Sequence, residues 1–202
     1  MKRMIFFITM FTVLSLFFQD ALCQKVPTEC IRTILDEVMA VQTDPQLKGQ
    51  EFRNKRRTAI KRIISQNFDF DTMARQSLGP YWERLEEAKQ IEFKAIFQDL
   101  FQESYTRLVL DFLVREKILY TKEDIDHGRA LVKTTIARVN EEIPVDYSLT
   151  TIEKKWLVND VKIDGVSIVE NYQKSFSRVI KQESYEALLE KMRRQQKAIE
   201  KN

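Results

Sequence analysis

Few residues in this chain could do acid–base, nucleophilic or metal chemistry. It has one histidine, His127, and two cysteines, Cys23 and Cys30. So small a set builds neither a His-based nor a thiolate zinc cage. A Ser-His-Asp arrangement could run only through His127, and Asp126-His127-Gly128 reads as a hairpin tip. The glycine-spaced signatures of nucleotide binding and of the nucleophile elbow are missing from the sequence. Acidic pairs such as Glu86-Glu87 and Glu141-Glu142 fall on apparent solvent faces or in turns. Asp160 and Asp164 read structurally, the first fixing a strand and the second a turn. The sequence therefore assigns no catalytic residue, no metal ligand and no cofactor. An acid–base pair of Asp and Tyr stays open as the enzymatic alternative, on fold analogy only.

What the chain holds in quantity is apolar residues at regular spacing. Thr28 can cap a first helix with Ile31, Ile34, Leu35 and Val38 on one face, ended by Asp44-Pro45. A second helix over residues 48–66 turns Phe52, Ile60, Ile63 and Ile64 inward and its basic residues outward. A short helix with Met73, Ala74 and Leu78 follows, and Gly79-Pro80 ends it and starts the next. Residues 86–113 form the longest periodic segment, with a wide apolar face that includes Phe93, Phe97, Phe101, Tyr105, Leu108 and Phe112. Such a face needs cover on more than one side, from other elements or from something bound. The period then shortens to two. Residues 118–125, 130–139, 143–152 and 156–163 read as four strands joined by short polar links, the pattern of an antiparallel meander. Asp164-Gly165 makes a turn, Ser167 can cap a further helix, and Ser184 the last one. The expected fold class is α+β: N-terminal helices, a four-stranded antiparallel sheet, then C-terminal helices.

The first residues differ in composition from the rest. Lys2 and Arg3 precede an uncharged apolar run from Met4 to Phe18, shorter than the roughly 20 residues that span a bilayer. With Ala21-Leu22-Cys23 behind it, this reads as a signal peptide over residues 1–23, leaving one domain over residues 24–202. A retained anchor and a lipidated Cys23 are the alternatives. Cleavage would leave Cys30 alone, with a buried thiol its expected state and pairing between molecules the alternative. A net charge of +3 with interleaved acids and bases argues against nucleic acid as a partner.

One stretch is more specific than its physics. Residues 156–176 read W-x-V-x-D-V-x-I-D-G-V-S-x-V-x-N-Y-x-x-x-F, and residues 68–82 read FDFDTMARQSLGPYW. Both blocks resemble the MlaC family, also called the toluene-tolerance family, and the likeness runs from Thr28 to Met192. The resemblance implies a cystatin-like or nuclear-transport-factor-like architecture in which sheet and helices enclose an apolar cavity. It also implies a soluble, monomeric periplasmic carrier with phospholipid as cargo and no cofactor. Such a carrier shuttles lipid between an inner-membrane ABC-transporter complex and an outer-membrane lipoprotein complex, maintaining outer-membrane lipid asymmetry. Apolar periodicity together with the family blocks nominates the lipid-binding residues. From the helices these are Met73, Leu78, Trp82, Phe97, Leu100, Phe101, Tyr105, Leu108 and Phe112. From the sheet and the corner after it they are Val145, Tyr147, Trp156, Val158, Val161, Val166 and Val169. The competing expectation is a ligand-free interaction or scaffold module in the same compartment, its apolar face covered by its own helices.

Overall fold

Helix α1 (Pro27–Thr43) starts at a proline and not at a Thr28 cap. Proline brings the φ that a first helical turn needs and has no N–H to leave unsatisfied. The Thr28 N–H instead donates to the Glu123 carboxylate at 2.6 Å, tying the helix to the first strand. The computed structural model describes residues 26–200, so the expected signal peptide over residues 1–23 lies outside the described residues. Helix α2 (Arg53–Asn67) starts later than the apolar pattern suggests, after a turn in which Gly49 takes a φ of +103°. Helix α3 (Phe70–Leu78) is capped by Asp69, whose carboxylate accepts from the Thr72 N–H at 3.1 Å.

Gly79 ends α3 with a φ of +55°, and its N–H donates to the Arg75 and Gln76 carbonyls. A Cβ there would stand 2.4 Å from the Gln173 side-chain nitrogen on a later helix. Gly79→Ala combines backbone strain with that clash and is expected to cost about 1–3 kcal/mol. A lower urea midpoint with an unchanged slope checks it. Pro80 does not open an α-helix as expected but a six-residue 3-10 turn, Gly79–Arg84. The long helix α4 (Glu87–Phe112) follows.

α4 is bolted to α2 by one buried acid. Glu103 accepts from Lys61 Nζ at 2.6 Å and from Arg57 Nε at 3.0 Å. Burial alone would raise its pKa, but the hydrogen bonds and charges of Lys61 and Arg57 outweigh that and hold it below the usual value. A carboxyl whose pKa is lower folded than unfolded contributes stability above its unfolded pKa, and that contribution fades as pH falls through the folded value. Unfolding free energy should therefore drop on acidification below about pH 4.5, and Glu103→Gln should flatten that part of the profile.

Four strands form the expected meander: β1 (Lys117–Asp126), β2 (Arg129–Ala137), β3 (Glu142–Ile152) and β4 (Lys155–Ile163). A two-residue strand, β5 (Val166–Ser167), adds a fifth, and the sheet runs antiparallel in the order β1-β2-β3-β4-β5. Three of its links place two successive residues at positive φ: His127-Gly128, Glu153-Lys154 and Asp164-Gly165. That is the mirror-image turn whose twist matches a two-residue hairpin. The pairing of β3 with β4 shifts register between Ser148 and Leu149, so that Asn159 is the extra residue of a bulge. This is why Val158 and Val161, three apart, are both buried when strict alternation would send one outward.

Ser167 caps α5 (Ile168–Gln182), accepting from the Glu170 N–H at 3.0 Å. Asp160 ties the corner: its carboxylate accepts from the Ser167 hydroxyl at 2.6 Å and from the N–H groups of Val161 and Val169 at 2.9 and 3.2 Å. Ser184 accepts from the Ala187 N–H at 3.0 Å in the first turn of α6 (Tyr185–Glu200). α1 packs on β1 and β2, α5 packs on β4, and α4 is held between α2, α3 and α6. α1, α2, α3 and α5 contact the strands, α4 and α6 pack on those helices, and the buried side chains form a single core.

Candidate functional site

The wide apolar face of α4 divides along its length. Toward the N-terminus, Phe93, Phe97 and Phe101 stack along the helix with ring centres 6.0 and 6.1 Å apart. They meet Tyr172 and Phe176 of α5, with Phe97 5.5 Å from the Tyr172 ring and 6.5 Å from that of Phe176. This half is covered by the protein itself. One turn further on, Tyr105, stacked on Phe101 at 5.5 Å, begins one wall of a cavity of about 310 Å³, which Leu108, Val109, Phe112 and Leu113 continue. Ile31, Ile34, Leu35 and Val38 of α1 form the next wall, with Ile64 and Phe68 beside them. The sheet supplies Ile136, Ile143, Val145, Tyr147, Val158 and Ile163. Arg138 and Glu141, from the β2–β3 link, complete the lining and are its charged members among the described residues.

The interior is suited to apolar matter. Ile31, Ile64, Val145 and Val158 are almost wholly buried. Tyr105 and Tyr147 bring two phenols to the lining. Burial raises the Tyr105 pKa, and burial first and then the neighbouring Tyr105 and Tyr120 push that of Tyr147 well up. Both remain neutral phenols at physiological pH, donors without charge. No histidine, cysteine, lysine or aspartate lines the cavity among the described residues. Asp160 is engaged at the corner, and His127 stands at its hairpin tip with its side chain 95% exposed beside Asp126. Among the described residues no aspartate joins Tyr105 and Tyr147 on the cavity lining.

The structure distributes the nominated residues over four places. Tyr105, Leu108, Phe112, Val145, Tyr147 and Val158 are on the cavity wall. Met73, Leu78, Phe97, Leu100, Phe101, Val161 and Val169 are buried in the surrounding core and do not line it. Trp156 is buried as well, and its carbonyl accepts from the Cys30 thiol at 3.6 Å. Trp82 lies outside, packed edge-on against Phe93 at 6.4 Å and facing an open polar depression with Arg75, Glu83 and Lys94. Val166 is a correction to the expectation: it is 60% exposed, because the two-residue β5 turns Ser167 inward and Val166 outward. The α1 wall is not among the nominated residues, although the apolar stripe of Ile31, Ile34, Leu35 and Val38 is plain in the sequence. Spacing shows that a face is apolar, not whether it meets protein or a void.

The chain matches the family model described as MlaC protein over residues 32–194. None of the curated proteins compared matches it. Among solved structures it is similar to the phospholipid-binding protein from Ralstonia solanacearum, determined in complex with a phospholipid at 1.53 Å resolution. That likeness has a TM-score of 0.74 at 19% identity and covers 87% of this chain and 99% of that one.

Proposed function

The chain belongs to the MlaC family, and from that premise we propose that it is a periplasmic carrier whose cavity takes the acyl chains of a phospholipid. The observation that carries this reading is the cavity itself: walled by α1, α4 and the sheet, apolar within, and open beside the exposed Phe112. A diacyl lipid leaves a membrane for water only at a large cost, because each methylene is worth roughly 0.8 kcal/mol. A carrier has to supply that burial and needs no reactive group. At about 310 Å³ the cavity is about twice the ~150 Å³ void that accepts one benzene, so two long chains enter only as its walls part. Lipid would be received from and passed to membrane complexes, an inner-membrane ABC transporter and an outer-membrane lipoprotein assembly, in a system that keeps the outer membrane asymmetric. Export by a cleaved signal peptide over residues 1–23 belongs to this proposal.

The test is transfer. Protein freed of lipid is incubated with phospholipid vesicles, separated from them by flotation and assayed for phosphorus. One lipid's worth of phosphorus per chain is the expected result. A protein that returns without phosphorus from every vesicle composition contradicts the carrier and favours a scaffold.

A further inference from the structure

The mouth of the cavity carries charge that acyl chains do not need. Of the lining residues, Phe112 and Glu141 are exposed and Arg138 is half-buried, so the opening lies between the end of α4 and the β2–β3 link. Arg138 is fixed there. Its Nη2 donates to the Phe112 carbonyl and faces Glu116 at 3.6 Å, and its guanidinium lies 5.6 Å from the centre of the Phe112 ring. Its backbone N–H donates to the Glu141 carbonyl at 2.8 Å, which sets the Glu141 side chain at the same rim. The Nε of Arg138 is buried and has no hydrogen-bond partner. A guanidinium N–H left so is costly and calls for an acceptor. Glu116 already faces Arg138, so Glu141 is left at the mouth as a carboxylate without an ion-pair partner among the described residues.

We propose that this mouth reads the lipid headgroup and selects a zwitterionic one, a phosphate followed by a cationic amine. The proposal rests on the carrier reading and deepens it. The phosphate is the part of such a headgroup nearest the acyl chains, and it meets the half-buried Arg138, whose buried Nε–H lacks an acceptor and suits a phosphate oxygen once cargo parts the walls. The amine lies further out, where the exposed Glu141 carboxylate receives it and the Phe112 ring offers its face. A headgroup with a phosphate and no amine brings negative charge beside Glu141 and nothing to offset it. Glu141 is thus the specificity determinant and Arg138 the phosphate contact.

The experiment offers the protein vesicles of phosphatidylethanolamine and phosphatidylglycerol in equal amounts and measures the bound lipids by mass spectrometry. The wild-type protein should carry the ethanolamine lipid in about fivefold excess, the scale of one partly exposed charge pair. Glu141→Gln should bring the ratio close to one, and Glu141→Lys should turn it toward the glycerol lipid. Arg138→Gln should lower the loading of both, and Arg138→Lys, which keeps the charge and loses the fork, guards against a folding defect in the first variant. Wild-type protein that carries the two lipids in the vesicle proportion overturns the inference and leaves the carrier standing, as does enrichment that survives Glu141→Gln. Protein that loads neither lipid overturns both readings together.

Discussion

Leu108→Asp lowers phospholipid loading by about 100-fold or more and leaves the protein folded. Leu108 is half-buried on the cavity wall contributed by α4, one turn in from the exposed Phe112. In the empty protein an aspartate at this position faces a void open to water at one end, so its carboxylate keeps a hydration shell. Cargo removes that shell. An unpaired carboxylate pressed against an acyl chain costs about 3 kcal/mol or more, which is about 100-fold in affinity. Circular dichroism and the urea midpoint report the fold, and vesicle transfer reports the loading. Leu108→Met, similar in volume and apolar, should load as the parent does. A Leu108→Asp protein that is folded and loads normally would remove this residue from the site.

Phe97→Ala gives the opposite dissociation. Phe97 is completely buried, and four rings, those of Phe93, Phe101, Tyr172 and Phe176, surround it at 5.5 to 6.5 Å. Truncation opens a void where α4 meets α5 and is expected to cost about 3–5 kcal/mol, a large part of the stability of a single domain. Phe97 does not line the cavity. At a temperature where the variant is still folded, its loading should stay within about twofold of the parent. Equilibrium unfolding in urea measures the first effect and vesicle transfer the second. The same helix therefore carries stability in one half and cargo in the other.

That division explains what the sequence could and could not reveal. Both halves of α4 show the same apolar spacing, and both are rich in aromatic residues. Only the placement of α5 and α6 decides which half is covered, and that is a long-range property to which local periodicity is blind. The four long strands lay within a residue or two of their legible limits, because alternation and turn residues are local signals. β5 is too short to show any period, so nothing in the sequence marks Val166 as outward-facing. The bulge at Asn159 breaks the alternation of β4 by one residue, yet the apolar identity of Val158 and Val161 still marked both as inward. Arg138 and Glu141 left no trace of their role, since a charged residue in a link between strands is ordinarily solvated. Their position at the mouth is a fact of tertiary structure.

The proposal that this protein carries phospholipid is tested most directly by native mass spectrometry of the protein isolated without detergent. The account predicts a stoichiometric mass increment that fragments to phospholipid. A bare polypeptide mass, unchanged after incubation with phospholipid vesicles, would contradict it.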